Sequence, residues 1–224
     1  MTGVFIQIRL DSSRLPGKAL MPIAGKALAL HALESLKKIP AGVHALLTEE
    51  ASAEALRPLA AAAGFELFTG SKDDVLERFC AALEAFPVDT VIRATGDNPL
   101  VSWEMASLLL DQHHELDADY SGYSGLPPGC GVEIVRAECL LKAGAAARDP
   151  YDREHVTPYV YKNPQIFTLH RPLAPKDFRS RFSVSVDTRA DFERVSRVFA
   201  RLYRGVTIPI AELMSFIRTQ ESSA

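Results

Sequence analysis

Cysteine is scarce in this 224-residue chain. Its three thiols, Cys80, Cys130 and Cys139, show no metal-ligand spacing and leave one unpaired in any disulfide scheme. Histidine is little more abundant, and the six residues form no ligand triad, which argues against a zinc enzyme. His113 and His114 are adjacent near a predicted helix end and so point to different faces. An excess of positive charge is missing too. With 25 Lys and Arg against 28 Asp and Glu the net charge is −3, so no general field draws the chain to nucleic acid or to an anionic membrane. Charges and prolines break the apolar stretches before they reach bilayer length. Neither an internal repeat, a low-complexity tract nor an N-terminal signal segment is visible. These absences lead us to expect reduced thiols in a cytoplasmic protein with no nucleic-acid or membrane partner.

What is present suits one large soluble domain. Apolar residues make up 47% and charged residues 24%, enough to build a full core. No linker divides the chain, so a single domain is expected over residues 1–219, with a flexible tail at 220–224. Through the first half, β-rich runs at 4–9, 43–48, 65–68 and 90–94 alternate with helical patterns at 27–38, 52–63, 76–86 and 102–114. Ser71 to Asp74 reads as a capping box, and Ser102 as an N-cap. This alternation predicts βαβ units in a mainly parallel sheet. The second half is less regular: a strand at 132–136, a helix at 137–147, a mixed segment at 154–161 and an alternating strand at 182–186. Thr188 and Asp191 form a further capping-box pair ahead of Phe192, Val195, Phe199 and Leu202.

Three places could carry chemistry. The loop 11–18 follows the first strand, where open α/β sheets bind ligands. Arg14, Lys18 and the backbone amides around Gly17 would cradle phosphate oxygens, although solvated surface charges fit the same composition. It is not a Walker A loop: Ser12 stands where the first glycine belongs, and Ala19 replaces the hydroxyl that meets magnesium. Asp97 lies beyond the 90–94 strand, as a metal ligand or as an Asx-turn residue. Asp187 sits between a strand end and a helix start, as a ligand or as a second cap beside Thr188. Two carboxylates at two strand ends are what magnesium takes beside a triphosphate. Farther along, Arg153 could meet an acceptor's carboxylate or hydroxyl, and His155 could bond the acceptor or take its proton. His155 and Tyr159 fit equally well as structural residues, and Glu133 as structural or acceptor-facing.

The run from Ile6 to Lys18, Ile-Gln-Ile-Arg-Leu-Asp-Ser-Ser-Arg-Leu-Pro-Gly-Lys, resembles the opening motif of the cytidylyltransferases that activate sugar acids, among them the acylneuraminate and 3-deoxy-manno-octulosonate enzymes. The stretches 70–76, 95–100, 153–159 and 186–188 resemble the spore coat polysaccharide biosynthesis protein F branch of that group, in the same order. The resemblance implies a nucleotide-diphospho-sugar transferase fold, a Rossmann-like three-layer α/β arrangement around a mainly parallel mixed sheet. It also implies transfer of CMP from CTP to a sugar or sugar-acid acceptor for surface polysaccharide, in a homodimer. By motif position Arg9, Arg14 and Lys18 would meet the nucleotide, and Asp97 and Asp187 would hold Mg2+. Glu133, Arg153, His155 and Tyr159 would face the acceptor. Where Gly131 stands the family more often has an acid, which bears on the acceptor more than on CTP. Two other readings keep the residues and change the role: a nucleotidyltransferase using another triphosphate, and a non-catalytic nucleotide-sugar-binding homologue.

Overall fold

Strands that are apolar at successive positions must be covered on both faces, and β1 (Thr2–Gln7) shows how this chain does it. The computed structural model describes residues 1–222. In it β1 sits between β4 (Val43–Thr48) and β6 (Thr90–Thr95), parallel to both. Val4 and Ile6 turn to one face, with Leu46 and Ile92 beside them, and are covered by α1 (Leu28–Leu36), α2 (Glu50–Ala63) and α4 (Trp103–Glu115). Phe5 turns to the other, with Leu47 and Val91, beneath α3 (Val75–Ala85) and α5 (Ala137–Ala146). The result is a three-layer α/β fold.

Two-residue strands β2 (Pro22–Ile23) and β3 (Lys26–Ala27) pair only with each other. The main sheet is completed by β5 (Glu66–Thr69), β7 (Tyr120–Gly122), β8 (Glu133–Arg136) and β9 (Leu169–His170). Its order is β5-β4-β1-β6-β8-β7-β9, parallel except where β8 runs antiparallel to β6 and β7. The mainly parallel mixed sheet expected from the alternation is therefore present. A third apolar cluster joins α8 (Arg189–Leu202) and α9 (Ile210–Glu221) to Leu28, Leu100, Val184 and Val186. Among the described residues no helix is long and apolar enough to cross a membrane.

Several local expectations need correction. Residues 182–186 are extended but join no ladder: Val184 and Ser185 donate to the Pro128 carbonyl at 2.7 and 3.1 Å, and Val186 to the Asp97 carbonyl at 3.0 Å. The alternation was real, since Val184 and Val186 are fully buried, but it packs against helices and its amides meet turns. Helix α2 begins before Ser52, with Glu49 as its N-cap, and the Ser52 hydroxyl accepts from the Leu10 amide at 3.1 Å. Asp74 is the cap of α3, taking the Glu77 amide at 2.9 Å, while Ser71 holds the Asp74 amide at 3.2 Å. The mixed segment resolves into α6 (Pro150–His155) and α7 (Pro158–Tyr161). At the C-terminus, Gln220 and Glu221 of the expected tail belong to α9, and residues 223–224 of it lie outside the described residues.

The extended segment leans on one glycine. Gly129 has φ +99°, and a Cβ there would lie 2.6 Å from the Ser185 amide nitrogen, a backbone atom that cannot swing aside. Gly129→Ala is expected to cost about 1–3 kcal/mol in urea denaturation. An unchanged midpoint would show that the turn and the segment separate freely.

Candidate active site

The cleft lies at the carboxyl ends of β1 and β6, whose last residues Gln7 and Thr95 are ladder partners. Each strand feeds a loop. After β1 the chain is tied by the Leu10 amide to Ser52 and closed by the Gly17 amide on the Leu10 carbonyl at 3.0 Å. Gly17 takes φ +67°, and Lys18 then opens a single 3-10 turn, Lys18–Leu20. This turn carries Lys18 back into the protein, where its side chain is only 10% exposed. Its ammonium donates to Asp97 Oδ2 at 2.9 Å, to Asp187 Oδ1 at 2.9 Å and to the Val186 carbonyl at 2.7 Å. Arg14, exposed above it, reaches Asp187 Oδ1 at 3.0 Å.

Both carboxylates are placed by other bonds as well. Thr95 Oγ1 donates to Asp97 Oδ1 at 2.7 Å and accepts from Asn98 Nδ2 at 2.8 Å. Thr188, not Asp187, is the N-cap of α8. The capping box extends one residue further than usual: Asp191 Oδ2 accepts from the amides of Thr188 and Asp187, at 2.9 and 3.2 Å, and from the Thr188 hydroxyl at 2.8 Å. Asp187 is thereby held at the cap without serving as one.

Of the residues singled out from sequence, the structure gathers Arg9, Arg14, Lys18, Asp97, His155 and Asp187 around one cavity of about 300 Å³. Arg9 lies 3.7 Å from Asp11 and 3.8 Å from Glu154 across the mouth. His155 ends α6, and Val156 behind it takes φ 75° and ψ −59°, a γ-turn closed by the Thr157 amide on the His155 carbonyl at 2.9 Å. That turn buries Val156 and leaves His155 exposed on the cleft wall. Arg78 and Arg93 also line this cavity and were not anticipated. Arg78 is buried, which lowers its pKa, and it donates to the Ser71 and Lys72 carbonyls that form the loop before α3. Arg93 had a signal that went unread, a charge inside the buried run Val91-Ile92-Arg93-Ala94.

A second cavity of about 380 Å³ shares Arg93 and Thr95 with the first and adds Asn98, Tyr123, Arg171 and the turn through Gly131. Glu133 faces it. Its Oε1 accepts from Tyr120 at 2.7 Å and from Thr157 at 2.6 Å, and its Oε2 pairs with Arg93. Burial, then the Glu133 charge, push the Tyr120 phenol far up, so it stays a donor. Arg153 and Tyr159 line neither cavity. Arg153 pairs with Asp74 and donates to the Gly144 and Ala147 carbonyls at 3.1 and 3.0 Å, joining α6 to α3 and α5. Tyr159 packs on Phe167, its ring centroid 6.4 Å away. The expected acceptor contacts of these two residues are therefore replaced by structural ones.

Lys18 shows that the carboxylate pair fits a cation. Asp97 and Asp187 offer hard oxygens that already close around one positive charge, within twice 2.9 Å of each other. Among the described residues, one trio of Asp, Glu, His or Cys has ligand atoms within 4.8 Å of one another: Asp119, Glu138 and Cys139. It lies at the opposite end of the sheet, and burial pushes the Cys139 thiol up to about 12, away from the thiolate a soft metal needs.

Known proteins resemble this chain along most of its length. A family model described as cytidylyltransferase matches residues 4–217. The spore coat polysaccharide biosynthesis protein SpsF of Bacillus subtilis is 28% identical over 98% of this chain and 95% of its own. A 3-deoxy-manno-octulosonate cytidylyltransferase of Neisseria meningitidis is 34% identical, over 46% of this chain and 41% of its own. Among solved structures, a cytidylyltransferase from Leptospira borgpetersenii superposes with TM-score 0.90 at 26% identity, covering 99% of this chain and 95% of that one. A CMP:2-keto-3-deoxy-manno-octonic acid synthetase complexed with CTP shares the fold at TM-score 0.69 and 17% identity, covering 89% and 98%. So does a Mycobacterium tuberculosis protein in complex with manganese, at 0.63 and 16%, covering 88% and 97%.

The box that seats Asp187 has a pH signature. Burial works to raise the Asp191 carboxyl, but bonds from Thr188, Arg194 and the two amides outweigh it and hold it at about 2, below the ordinary 3.8. A carboxylate depressed by folding stabilises fully above its unfolded pKa and loses that contribution as pH falls through the folded one. Asp191→Asn should cost about 0.5–2 kcal/mol at neutral pH. Its deficit against wild type in urea midpoints should shrink as pH falls from about 4 to about 2. A deficit that stays constant over that window would reject this account.

Proposed function

The chain belongs to the cytidylyltransferase family, and from that premise we propose that it transfers CMP from CTP to a hydroxyl of a sugar or sugar-acid acceptor, releasing pyrophosphate. The observation that carries the reading is the meeting of Asp97, Asp187, Arg14 and Lys18 at one end of a cleft that also holds Arg9 and Arg78. A fold-sharing synthetase complexed with CTP and another protein complexed with manganese support the ligand and the metal. The likeness to a spore coat polysaccharide protein supports a role in surface polysaccharide synthesis. A cytoplasmic homodimer belongs to the same reading and has the family resemblance as its support.

Asp97 and Asp187 would hold magnesium. A divalent ion bound there supplies charge neutralisation at the α-phosphate. Arg14 and Lys18 are set to neutralise the β- and γ-phosphates, where negative charge grows as pyrophosphate leaves. Arg9 and Arg78 add positive potential along the same wall, and Arg78 is held rigid by three carbonyl contacts. The acceptor belongs in the second cavity, which opens onto the first at Arg93 and Thr95. There Glu133 is fixed by Tyr120, Thr157 and Arg93, so it orients neighbouring donors and is not free to accept the hydroxyl proton. His155, exposed on the wall of the first cavity, would be the base. Catalysis on this reading is mainly positioning and electrostatics.

Asp97→Asn should lower pyrophosphate release with CTP, magnesium and a panel of sugar acids by about 10²–10³-fold, with a cooperative melt retained. Wild-type turnover in the variant would reject the role of Asp97. Thermal-shift titration of the wild type with four nucleoside triphosphates tests the base. A shift largest for CTP supports the reading, whereas equal shifts favour a different nucleotidyltransferase. A shift without pyrophosphate from any acceptor favours a binding homologue.

A further inference from the structure

An ammonium has three N–H donors, and all three of Lys18 are engaged inside the protein, two by carboxylates and one by a carbonyl. With Arg14 on the same oxygen of Asp187, two negative groups face two positive ones. The pair that suits a divalent ion is therefore neutralised by the chain itself. Lys18 also stands between the carboxylates, an oxygen of each lying 2.9 Å from its nitrogen. An arriving ion would meet a balanced cluster and a buried ammonium in its place.

The remainder of the cleft offers that ammonium another destination. Lys18 lines the same cavity as Arg9, Arg14 and Arg78, of which Arg78 donates only to carbonyl oxygens. A polyphosphate seated there would compete with Asp97 and Asp187 for both Lys18 and Arg14. Lysine suits such an exchange, being a compact charge on a flexible four-carbon stem. Thr95 would keep Asp97 oriented, through Oδ1, after Lys18 let go of Oδ2. The extended capping box would likewise keep the Asp187 backbone in place.

We propose that Lys18 is an internal counter-cation that withholds the Asp97–Asp187 pair from divalent metal until a nucleotide's phosphates draw its ammonium away. The inference rests on the nucleotide- and metal-binding reading of this cleft. It makes metal and nucleotide mutually dependent: each raises the other's affinity by the same factor, as linkage requires. It also gives Lys18 a second duty in the free protein, holding together two carboxylates that would otherwise repel.

The test is manganese binding followed by loss of the free ion's paramagnetic resonance signal, with no nucleotide present. Lys18→Met removes the charge and keeps the stem. It should bind Mn2+ at least about tenfold more tightly than wild type, within the usual range of coupling between sites, and Lys18→Met/Asp97→Asn should lose the gain. Wild-type protein binding Mn2+ as tightly as Lys18→Met overturns the inference. Wild-type crystals soaked in Mn2+ decide the matter even if the variant does not fold. The expected result is no anomalous peak between Asp97 and Asp187 without CTP and a peak with it. A peak without CTP, with Lys18 still in place, overturns the inference and leaves the metal reading intact. Manganese absent from the pair in every sample, including Lys18→Met and the CTP soak, rejects the metal reading and this inference with it.

Discussion

Two carboxylates ninety positions apart in the chain share the ammonium of Lys18, and the rest of the molecule is arranged so that they can. An ion pair of this kind is worth having only when its partners arrive already oriented, because desolvating three charged groups is costly. Each partner here has its own support. Gly17 and the 3-10 turn aim Lys18 inward, the Thr95 hydroxyl fixes Asp97, and the box of Thr188 and Asp191 seats Asp187. Between the last two, Val186 supplies both a carbonyl to Lys18 and an amide to the Asp97 carbonyl. The extended segment 182–186 works as a strut between the sheet and the third apolar cluster. It has no ladder to hold it and depends on the turn at Pro128 and Gly129.

That arrangement explains which parts of the protein were legible in the sequence. Elements whose signal is local came through: the buried run of β1, the caps at Ser102 and Thr188, and the apolar stripe of α8. The convergence of Asp97 and Asp187 on one cleft was also readable, because each carboxylate follows a buried run that ends there. What could not be read was pairing at a distance. Alternation at 182–186 specifies a buried face and says nothing of whether a neighbouring strand exists. Arg153 carries the right chemistry for an acceptor, yet Asp74 lies seventy-nine positions away and is where its charge goes. Glu133 needed Tyr120, Thr157 and Arg93 to define its role, and no spacing rule joins those four. Short β7 and β9 carry too few residues for a periodic signal and form because β8 gives β7 an edge and β7 gives β9 one.

Rigidity is divided unevenly across the two cavities. The wall common to both, Arg93 with Thr95, is tied from several directions, Arg93 by Gln7 and Glu133 and Thr95 by Asp97 and Asn98. The mouth of the first is lined by exposed side chains, Arg14 among them, whose ion pairs are of the kind that contribute little to stability. Exposed charge is thus concentrated at the mouth, while the wall between the two cavities is held by multiple bonds.

At Gly131 the wall of the second cavity is bare main chain. A Cβ there would touch only Leu126, at 3.6 Å, an ordinary contact, so the fold leaves room for one. Glycine there keeps the chamber roomier than a side chain would and adds no charge to it. What this stretch of wall presents is peptide, whose N–H and C=O groups carry no net charge.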